Sequence, residues 1–567
     1  MELIILNPTY SDWQWRNSLT KEIVDKTLLT LNPTLLHLLN GDVVDEITEE
    51  IITPSPCRTI KNIPCILDFK GNTHGRTKDK LTYRCIPDDK SLPNFLVSYQ
   101  PKTTGFDKNK VNKYVLIQFK TWNKAEKHPI GILTNTLGDV DNYDAYCEYQ
   151  LYSKGLVIPL KEFIKETIFL KNERIQDSFI DGICEKYPSI ENRTHLNIFS
   201  IDPEGCTDID DAIGIVEHTT YTTISIYIAN VPLIFEYFNL WQYITNKCST
   251  IYLPMHKLPM IPEILSDNIC SLLQDELRFA FVMDIVIPLG SGICSTSLKS
   301  VLIKVDRNFV YEEADLLANI DYQQLLKLTQ NQNNDKTIID SHDLVEYYMI
   351  YMNYICALEL VKHKCGIFRS AHMKDAVEKL NSLPSDVNKF ITNWKYASGQ
   401  YCTFENNSSH DLVGKGYNVY THITSPIRRI VDVINMTLLQ DKLGLIQYNF
   451  SSAIAFCLKW STEPQVDFIN TCMKGIKKVQ NNCNLLSLYI KNKESRKKQS
   501  VIGYIVDIST DNKKHKYTYN VYVPDYKLIS TFKTNKLMEI YSNTYFTLHL
   551  FMDEANLKQK IKLQLTF

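Results

Sequence analysis

Glycine is scarce in this chain, at 19 of 567 residues, about half the usual share. Asn, Lys, Ile and Tyr are abundant instead, a bias that an AT-rich genome leaves and that carries no function by itself. Net charge is nearly absent too: Lys and Arg number 62, Asp and Glu 64, for a sum of −2. At face value that argues against a polyanion as ligand. None of the 15 cysteines falls in a Cys-x-x-Cys pair, and no Cys/His cluster has zinc-site spacing. Their odd number and scatter fit reduced, buried thiols in an intracellular chain better than a disulfide framework. The start, Met1 to Pro8, carries an acid where a signal peptide needs a base. The longest apolar stretch, Tyr347 to Val361, holds Asn353 and Glu359 and is too short to cross a bilayer. The expectation is a soluble, cytoplasmic protein with no membrane partner. Internal repeats and low-complexity tracts are also lacking.

What is present is ordinary globular material, 44% hydrophobic, 22% charged and 11% aromatic, which excludes disordered, collagen-like and coiled-coil chains. The length suggests about four domains. The neutral total hides an asymmetry. From Thr471 to Phe567 there are 17 Lys and Arg against 7 Asp and Glu, a charge of +10, so the first 470 residues carry −12. A basic end could hold a polyanion.

The first 175 residues or so read as strands and turns. Lys113 to Trp122 is β-branched and aromatic, and Pro129-Ile130-Gly131 and Leu137-Gly138-Asp139 supply turns around the next strand. One or two small β-barrels would fit. From about 195 to 490 the signal is mixed. Tyr221 to Ile228 alternates as a strand, and Leu344 to Val361 and Pro426 to Leu443 have helical periodicity. A lysine-rich connector, Lys491 to Lys498, leads back to strands, Tyr517 to Val523 being the clearest.

Two segments carry chemistry. In Ile201-Asp202-Pro203-Glu204-Gly205-Cys206-Thr207-Asp208-Ile209-Asp210-Asp211-Ala212, closely spaced carboxylates repel one another unless a cation sits among them. Oxygen ligands alone point to Mg²⁺ or Mn²⁺ rather than zinc. Counted from Asp208, the sixth position is Ile213 rather than Gly, which excludes a calcium EF-hand loop. In an extended loop Asp208 and Asp210 share a face and Asp211 points away. Such a cluster could hold two metals about 4 Å apart, as phosphoryl-transfer sites do. A solvated acidic turn is the alternative. In the second segment, Tyr420 to Asp432, Ser425 suits a helix N-cap and Pro426 the first helical position. Arg428 would then lie in the first turn, where free N–H groups favour an anion, with Asp432 one turn on to hold the guanidinium. That reads as a phosphate clamp, or as a capped helix with two solvated arginines.

Together the segments resemble the RNB family of exoribonucleases, the ribonuclease II and exosome-exonuclease type. The family's aspartate, five residues, then Asp-x-Asp-Asp-Ala matches Asp202 and Asp208 to Ala212, and its Thr-Ser-Pro-Ile-Arg-Arg matches Thr424 to Arg429. Ser249 to Pro254, Pro259 to Pro262 and Leu265 to Leu272 match in order between them. The resemblance implies a multidomain α+β protein: cold-shock-like OB barrels at 1–75 and 76–175, a mixed α/β RNB catalytic domain at 176–490, and a basic connector with a C-terminal OB-type barrel at 491–567. No room is left for the extra N-terminal endonuclease domain of some relatives, and a monomer is expected. It further implies processive or partly processive 3′→5′ hydrolysis of single-stranded RNA to nucleoside 5′-monophosphates, with Mg²⁺ as cofactor and Mn²⁺ as a substitute. Asp202, Asp208, Asp210 and Asp211 would hold the metal, Asp210 being the most critical. Arg428 would steady the scissile phosphate, and water would attack, so no side-chain nucleophile is needed. Tyr252 matches the tyrosine that stacks on bases near the 3′ end. Phe368, in Gly366-Ile367-Phe368-Arg369, is the candidate for the opposite stack, a core Phe being the alternative. Arg369, Arg429 and Tyr420 complete the implied RNA-binding set. Asn353 and Glu346 match polar family positions on one helix.

The chain departs from the family where His and Asp usually follow the acidic loop, having Tyr227 and Asn230 instead. It has Ile430 for the Tyr after the arginines, and Asn435 for a His further along. These departures touch substrate positioning rather than metal ligands. Two competing functions remain on sequence alone: an inactive RNB-fold protein that binds RNA as regulator or scaffold, and a metal-dependent nuclease acting on DNA.

Overall fold

A computed structural model describes all residues except 25–30, 78–79, 101–109, 125, 290–293, 334–337, 371–382, 398, 407–417, 495–499, 512–515 and 567. The chain divides into two compact units, Met1–Val157 with Gly475–Phe567, and Ile158–Lys474.

The first unit is rich in β-structure. Its N-terminal five-stranded sheet runs Ile23–Val24, Trp13–Arg16, Glu2–Ile5, Val43–Val44, Ile51–Thr53 and closes over Leu3, Ile5, Trp15 and Val44. A second sheet has the order Ile63–Leu67, Lys113–Thr121, Ile130–Asp139, Phe95–Tyr99, Lys80–Pro87, Thr73–Thr77. Its strand Ile63–Leu67 also pairs with Lys80–Pro87, which closes five of the strands into a barrel around Cys65, Leu67, Phe95, Val97, Val115 and Ile117. The boundary expected after residue 75 therefore falls inside a strand. Ile63–Leu67 belongs with the second barrel because both its edges are bonded there. The C-terminal sheet is antiparallel, in the order Leu528–Thr534, Lys516–Val523, Val501–Asp511, Asn543–Asp553, Lys558–Leu565, over Val501, Ile505, Tyr519, Val521 and Phe546. Lys558 Nζ lies 2.5 Å from Asp88 Oδ1, an oxygen that also accepts from the Tyr149 hydroxyl at 3.2 Å.

In the second unit a seven-stranded sheet has the order Glu191–Asn192, Ser295–Lys304, Leu277–Pro288, Tyr221–Ala229, Asp211–Glu217, Phe199–Asp202, Arg307–Val310. Its middle strands are buried almost continuously, because helices cover the sheet and leave no solvated face. The helix Ile430–Lys442 is buried from Ile430 through Gln440, and Ser341–Lys362 packs in the same core. Helices Lys161–Thr167 and Glu173–Lys186 belong to this unit as well, so the boundary expected after residue 175 cuts the first turn of the latter. Lys491 and Lys493, expected in a connector, instead form the last turn of the helix Glu463–Glu494. The rest of that expected connector, 495–498, lies outside the described residues. Among the described residues no helix is long and apolar enough to cross a membrane.

The helix expected from Pro426 starts only at Ile430. The backbone explains the delay. Arg429 is extended, at φ −138° and ψ 127°, and bridges Ser249, while Thr250 N–H donates to Arg428 O and Ile430 N–H to Cys248 O, both at 3.0 Å. Ser425 to Arg428 form a turn, with Arg429 N–H donating to Ser425 O at 3.0 Å. Ser425 is therefore no N-cap.

Candidate active site

The acidic loop is built at the sheet edge by local rules. Phe199–Asp202 ends in Asp202, and Pro203 to Cys206 turns sharply, with Cys206 N–H donating to Pro203 O at 3.0 Å. Gly205 takes φ +76° in that turn, a conformation that costs an L side chain strain. Ser271 then pins the loop: its hydroxyl donates to Thr207 O at 2.9 Å and accepts from Ile209 N–H at 3.0 Å. Asp211 opens the next strand, paired with Ile228.

Asp202, Asp208, Asp210 and Asp211 gather here with Arg428 and Tyr252. The Asp210 carboxylate is buried, its side chain 3% exposed. It accepts from Ile427 N–H at 2.8 Å and from Arg428 Nε at 3.0 Å. Arg428 also donates to Ser425 Oγ at 3.0 Å, and its side chain remains 45% exposed. Asp208 accepts from the Tyr252 hydroxyl at 2.5 Å and from Lys257 Nζ at 2.9 Å. Asp202 Oδ2 is buried with no hydrogen-bond partner.

The electrostatics follow from this crowding. Burial pushes the Asp210 carboxyl up to about 7, against the pull of the Arg428 charge. Burial likewise pushes Asp202 up to about 6, with the Asp208 charge adding to the effect. Asp211 is raised well above the usual range by burial and then by Asp202 and Asp210. Asp211 thus belongs to the cluster electrostatically, although an extended loop would point it away.

Among the described residues no three His, Cys, Asp or Glu side chains converge as a ready-made metal cage. The reason is visible: Asp208 is turned to Tyr252 and Lys257, and Asp210 to Arg428 and Ile427. The donor set nevertheless fits a hard divalent cation. It is all oxygen, it is desolvated, its charges repel one another, and one buried carboxylate oxygen lacks a partner.

Tyr252 is 38% exposed beside the carboxylates. Phe368, expected to stack opposite it, is 0% exposed. Its strand pairs with Gln400–Thr403 and its ring meets Phe404 at 6.1 Å, so it is a core residue and offers no face to a base. Arg369, Arg429 and Tyr420 gather in a second polar cluster. Arg369 Nη1 lies 3.1 Å from His422 Nε2, and Tyr401 Oη lies 2.7 Å from His422 Nδ1. A guanidinium only donates, so Nε2 accepts and Nδ1 carries the ring proton. Tyr420 accepts from Asn353 Nδ2 at 3.1 Å. Asp432, expected to hold Arg428, holds Arg429 at 2.9 Å, because the late helix start moves Arg428 over to Asp210. Of the departures, Tyr227 and Ile430 are core residues. Asn230 bonds Gln440 and Ser300, and Asn435 bonds Ile367, Thr421 and the His422 carbonyl.

Sequence reasoning missed Lys257 and Tyr311. Tyr311 N–H donates to Asp202 O at 3.2 Å, and its ring stacks on His342 at 3.8 Å and 7°. Burial, then the Asp211 and Asp202 charges, push its phenol up. Neither residue stands in a local motif: hairpin register with Tyr252 brings in Lys257, and the pairing of distant strands brings in Tyr311.

Comparison with known proteins fits this geometry. Residues 190–334 match the RNB domain, and residues 82–154 the Dis3-like cold-shock domain 2 (CSD2). The chain carries an RNB domain. The human exosome complex exonuclease RRP44 is 24% identical over 448 residues, covering 65% of this chain and 45% of that protein. Ribonuclease R of Mycoplasma genitalium is 25% identical over 320 residues, covering 43% and 44%. The matches thus span less than half the length of these curated relatives. Among solved structures, Mycoplasma genitalium RNase R in complex with ribose-methylated single-stranded RNA has a TM-score of 0.63 at 17% identity, covering 99% of both chains. Yeast Ssd1, a pseudonuclease, has a TM-score of 0.54 at 14% identity, covering 90% of this chain and 70% of that one. The RNB resemblance and the mixed fold, with cold-shock strands ahead of the RNB domain and a β-rich C-terminal region, are both borne out.

Proposed function

We propose that this RNB-domain protein is a 3′→5′ exoribonuclease that hydrolyses single-stranded RNA to nucleoside 5′-monophosphates with Mg²⁺. The observation that carries the reading is the crowded cluster of buried Asp208 and Asp210 and partly buried Asp202 and Asp211, with Arg428 at its edge. Relatives named as exonucleases, and an RNase R of like fold bound to RNA, support the substrate class.

The four carboxylates would hold the cation, which when bound supplies charge neutralisation and activates water. Arg428, anchored at Nε by Asp210 and at Nη2 by Ser425, keeps a half-exposed side chain at the cluster. There it steadies a phosphate and the charge that grows on it. Tyr252 stacks on a base, a contact indifferent to sequence because every base has a flat face. The Asp208 carboxylate fixes that ring through its hydroxyl, so one residue couples base position to the acidic cluster. The +10 end of the chain gathers RNA. We place the protein in the cytoplasm as a monomer, in keeping with its fifteen free cysteines.

An inactive RNA-binding protein is the competing reading, since Ssd1 has a like fold and is a pseudonuclease. The complete set of four aspartates and one arginine favours the enzyme. The deciding assay incubates purified protein and Mg²⁺ with 5′-labelled single-stranded RNA and DNA, beside Asp210→Asn. Stepwise shortening of RNA by the wild type alone is expected. No shortening would sink the enzyme reading, equal shortening by the variant would sink the site, and preferential loss of DNA would sink the choice of RNA.

A further inference from the structure

The short hairpin Ile251–Tyr252 with Lys257–Leu258 sets Tyr252 directly across from Lys257. Both side chains reach the same carboxylate: Tyr252 donates to Asp208 Oδ2 at 2.5 Å, and Lys257 Nζ to Oδ1 at 2.9 Å. Lys257 also donates to Asp267 Oδ1 at 2.9 Å and to Thr207 Oγ1 at 2.6 Å. An ammonium has three donors, and all three are used. Asp267 is itself fixed, by the Thr207 hydroxyl at 3.0 Å and the Ser266 hydroxyl at 2.5 Å. The lysine side chain is 21% exposed, well out of bulk water, which strengthens its charge. Nothing in the acidic-loop motif requires a lysine here.

We infer that Lys257 is a resident counter-ion of the acidic cluster, which holds Asp208 and competes with the divalent cation for it. This rests on the reading of that cluster as a metal site. An ammonium held on Asp208 Oδ1 repels a divalent cation arriving at the same carboxylate, so cation entry is opposed while the lysine stays there and eased when it moves away. Asp267 and Thr207 give it a place to stay, so the displaced charge is not left unpaired. Lys257 is thus a positioning residue. It orders Asp208 and Tyr252 before metal arrives and sets the concentration at which the cation enters.

The test is isothermal calorimetry of Mn²⁺ binding to the full chain without RNA, for wild type, Lys257→Met, Lys257→Gln and Lys257→Arg, with circular dichroism to verify folding. Removing the competing charge should tighten Mn²⁺ binding about tenfold in both the Met and the Gln variant. Lys257→Arg, which keeps the charge, should bind within about twofold of wild type. A lysine that served only to fold the hairpin would give weaker binding on its removal. Unchanged or weaker binding by the Met and Gln variants, with a wild type that binds, overturns the role of Lys257 alone. If no variant and no wild type takes up Mn²⁺, the metal-site reading falls, and this inference with it.

Discussion

Arg428 Nε lies 3.0 Å from Asp210 Oδ2, while the N–H of the preceding residue, Ile427, donates to the other oxygen of the same carboxylate at 2.8 Å. Two segments more than 200 positions apart are thereby joined through one buried side chain, and the guanidinium is aimed by the carboxylate rather than by a helix. Arg428→Ala should lower kcat for RNA shortening by about 10²–10³. Arg428→Lys should recover only part of this, since an ammonium lacks the planar fork that reaches Asp210, Ser425 and a phosphate together. Single-turnover assays on 5′-labelled RNA measure it. A Lys variant as active as wild type would show that point charge alone suffices.

Tyr252 has two duties that substitution can separate. Its side chain is partly exposed, with base stacking proposed for the ring, and its hydroxyl donates to Asp208. Tyr252→Phe keeps the stack and should leave RNA affinity near wild type, whereas Tyr252→Ala should weaken it by about 1–3 kcal/mol. Fluorescence anisotropy with a labelled oligonucleotide, using Asp210→Asn to prevent cleavage, reads both. Equal affinities for all three proteins would remove Tyr252 from the RNA path.

The acidic loop, the Thr424 to Arg429 motif and the strands Lys113–Thr121, Tyr221–Ala229 and Lys516–Val523 were legible in sequence, because each is written in local pattern or fixed spacing. What sequence could not give were pairings set by remote backbone. Arg429 is extended because Ser249 and Thr250 bond its neighbourhood, and that alone delays the helix to Ile430 and hands Arg428 to Asp210 instead of Asp432. Lys257 enters the site only through hairpin register with Tyr252. Barrel closure by Ile63–Leu67 likewise depends on a strand that sequence cannot assign to one sheet or another.

Asp202 makes stability depend on pH and on metal together. Its carboxyl is pushed from 3.8 to about 6 on folding, so between about pH 4 and 6 the folded chain binds more protons than the unfolded one. Its contribution to stability is therefore greatest at low pH and is lost as pH rises through that window. Without metal, Asp202→Asn should be more stable than wild type at pH 8, by about 3 kcal/mol, and no different at pH 4. Mg²⁺ should raise the Tm of wild type at pH 8 more than at pH 5, and that of the variant less at either pH. Thermal melts at the three pH values check this, and a variant less stable than wild type at pH 8 would contradict the origin given for the raised carboxyl.

Phe368 decides between two roles that sequence left open. With 0% exposure and a ring against Phe404, its contribution is to the core of the strand pair Ile367–Ser370 with Gln400–Thr403. Phe368→Ala opens a cavity and should cost about 3–5 kcal/mol of stability. Phe368→Leu refills most of that volume, should cost less, and should leave RNA affinity unchanged, because no base reaches the ring. Denaturant melts give the first quantity and anisotropy the second. A Leu variant that folds normally yet binds RNA tenfold more weakly would mean that the ring swings out of the core when RNA enters.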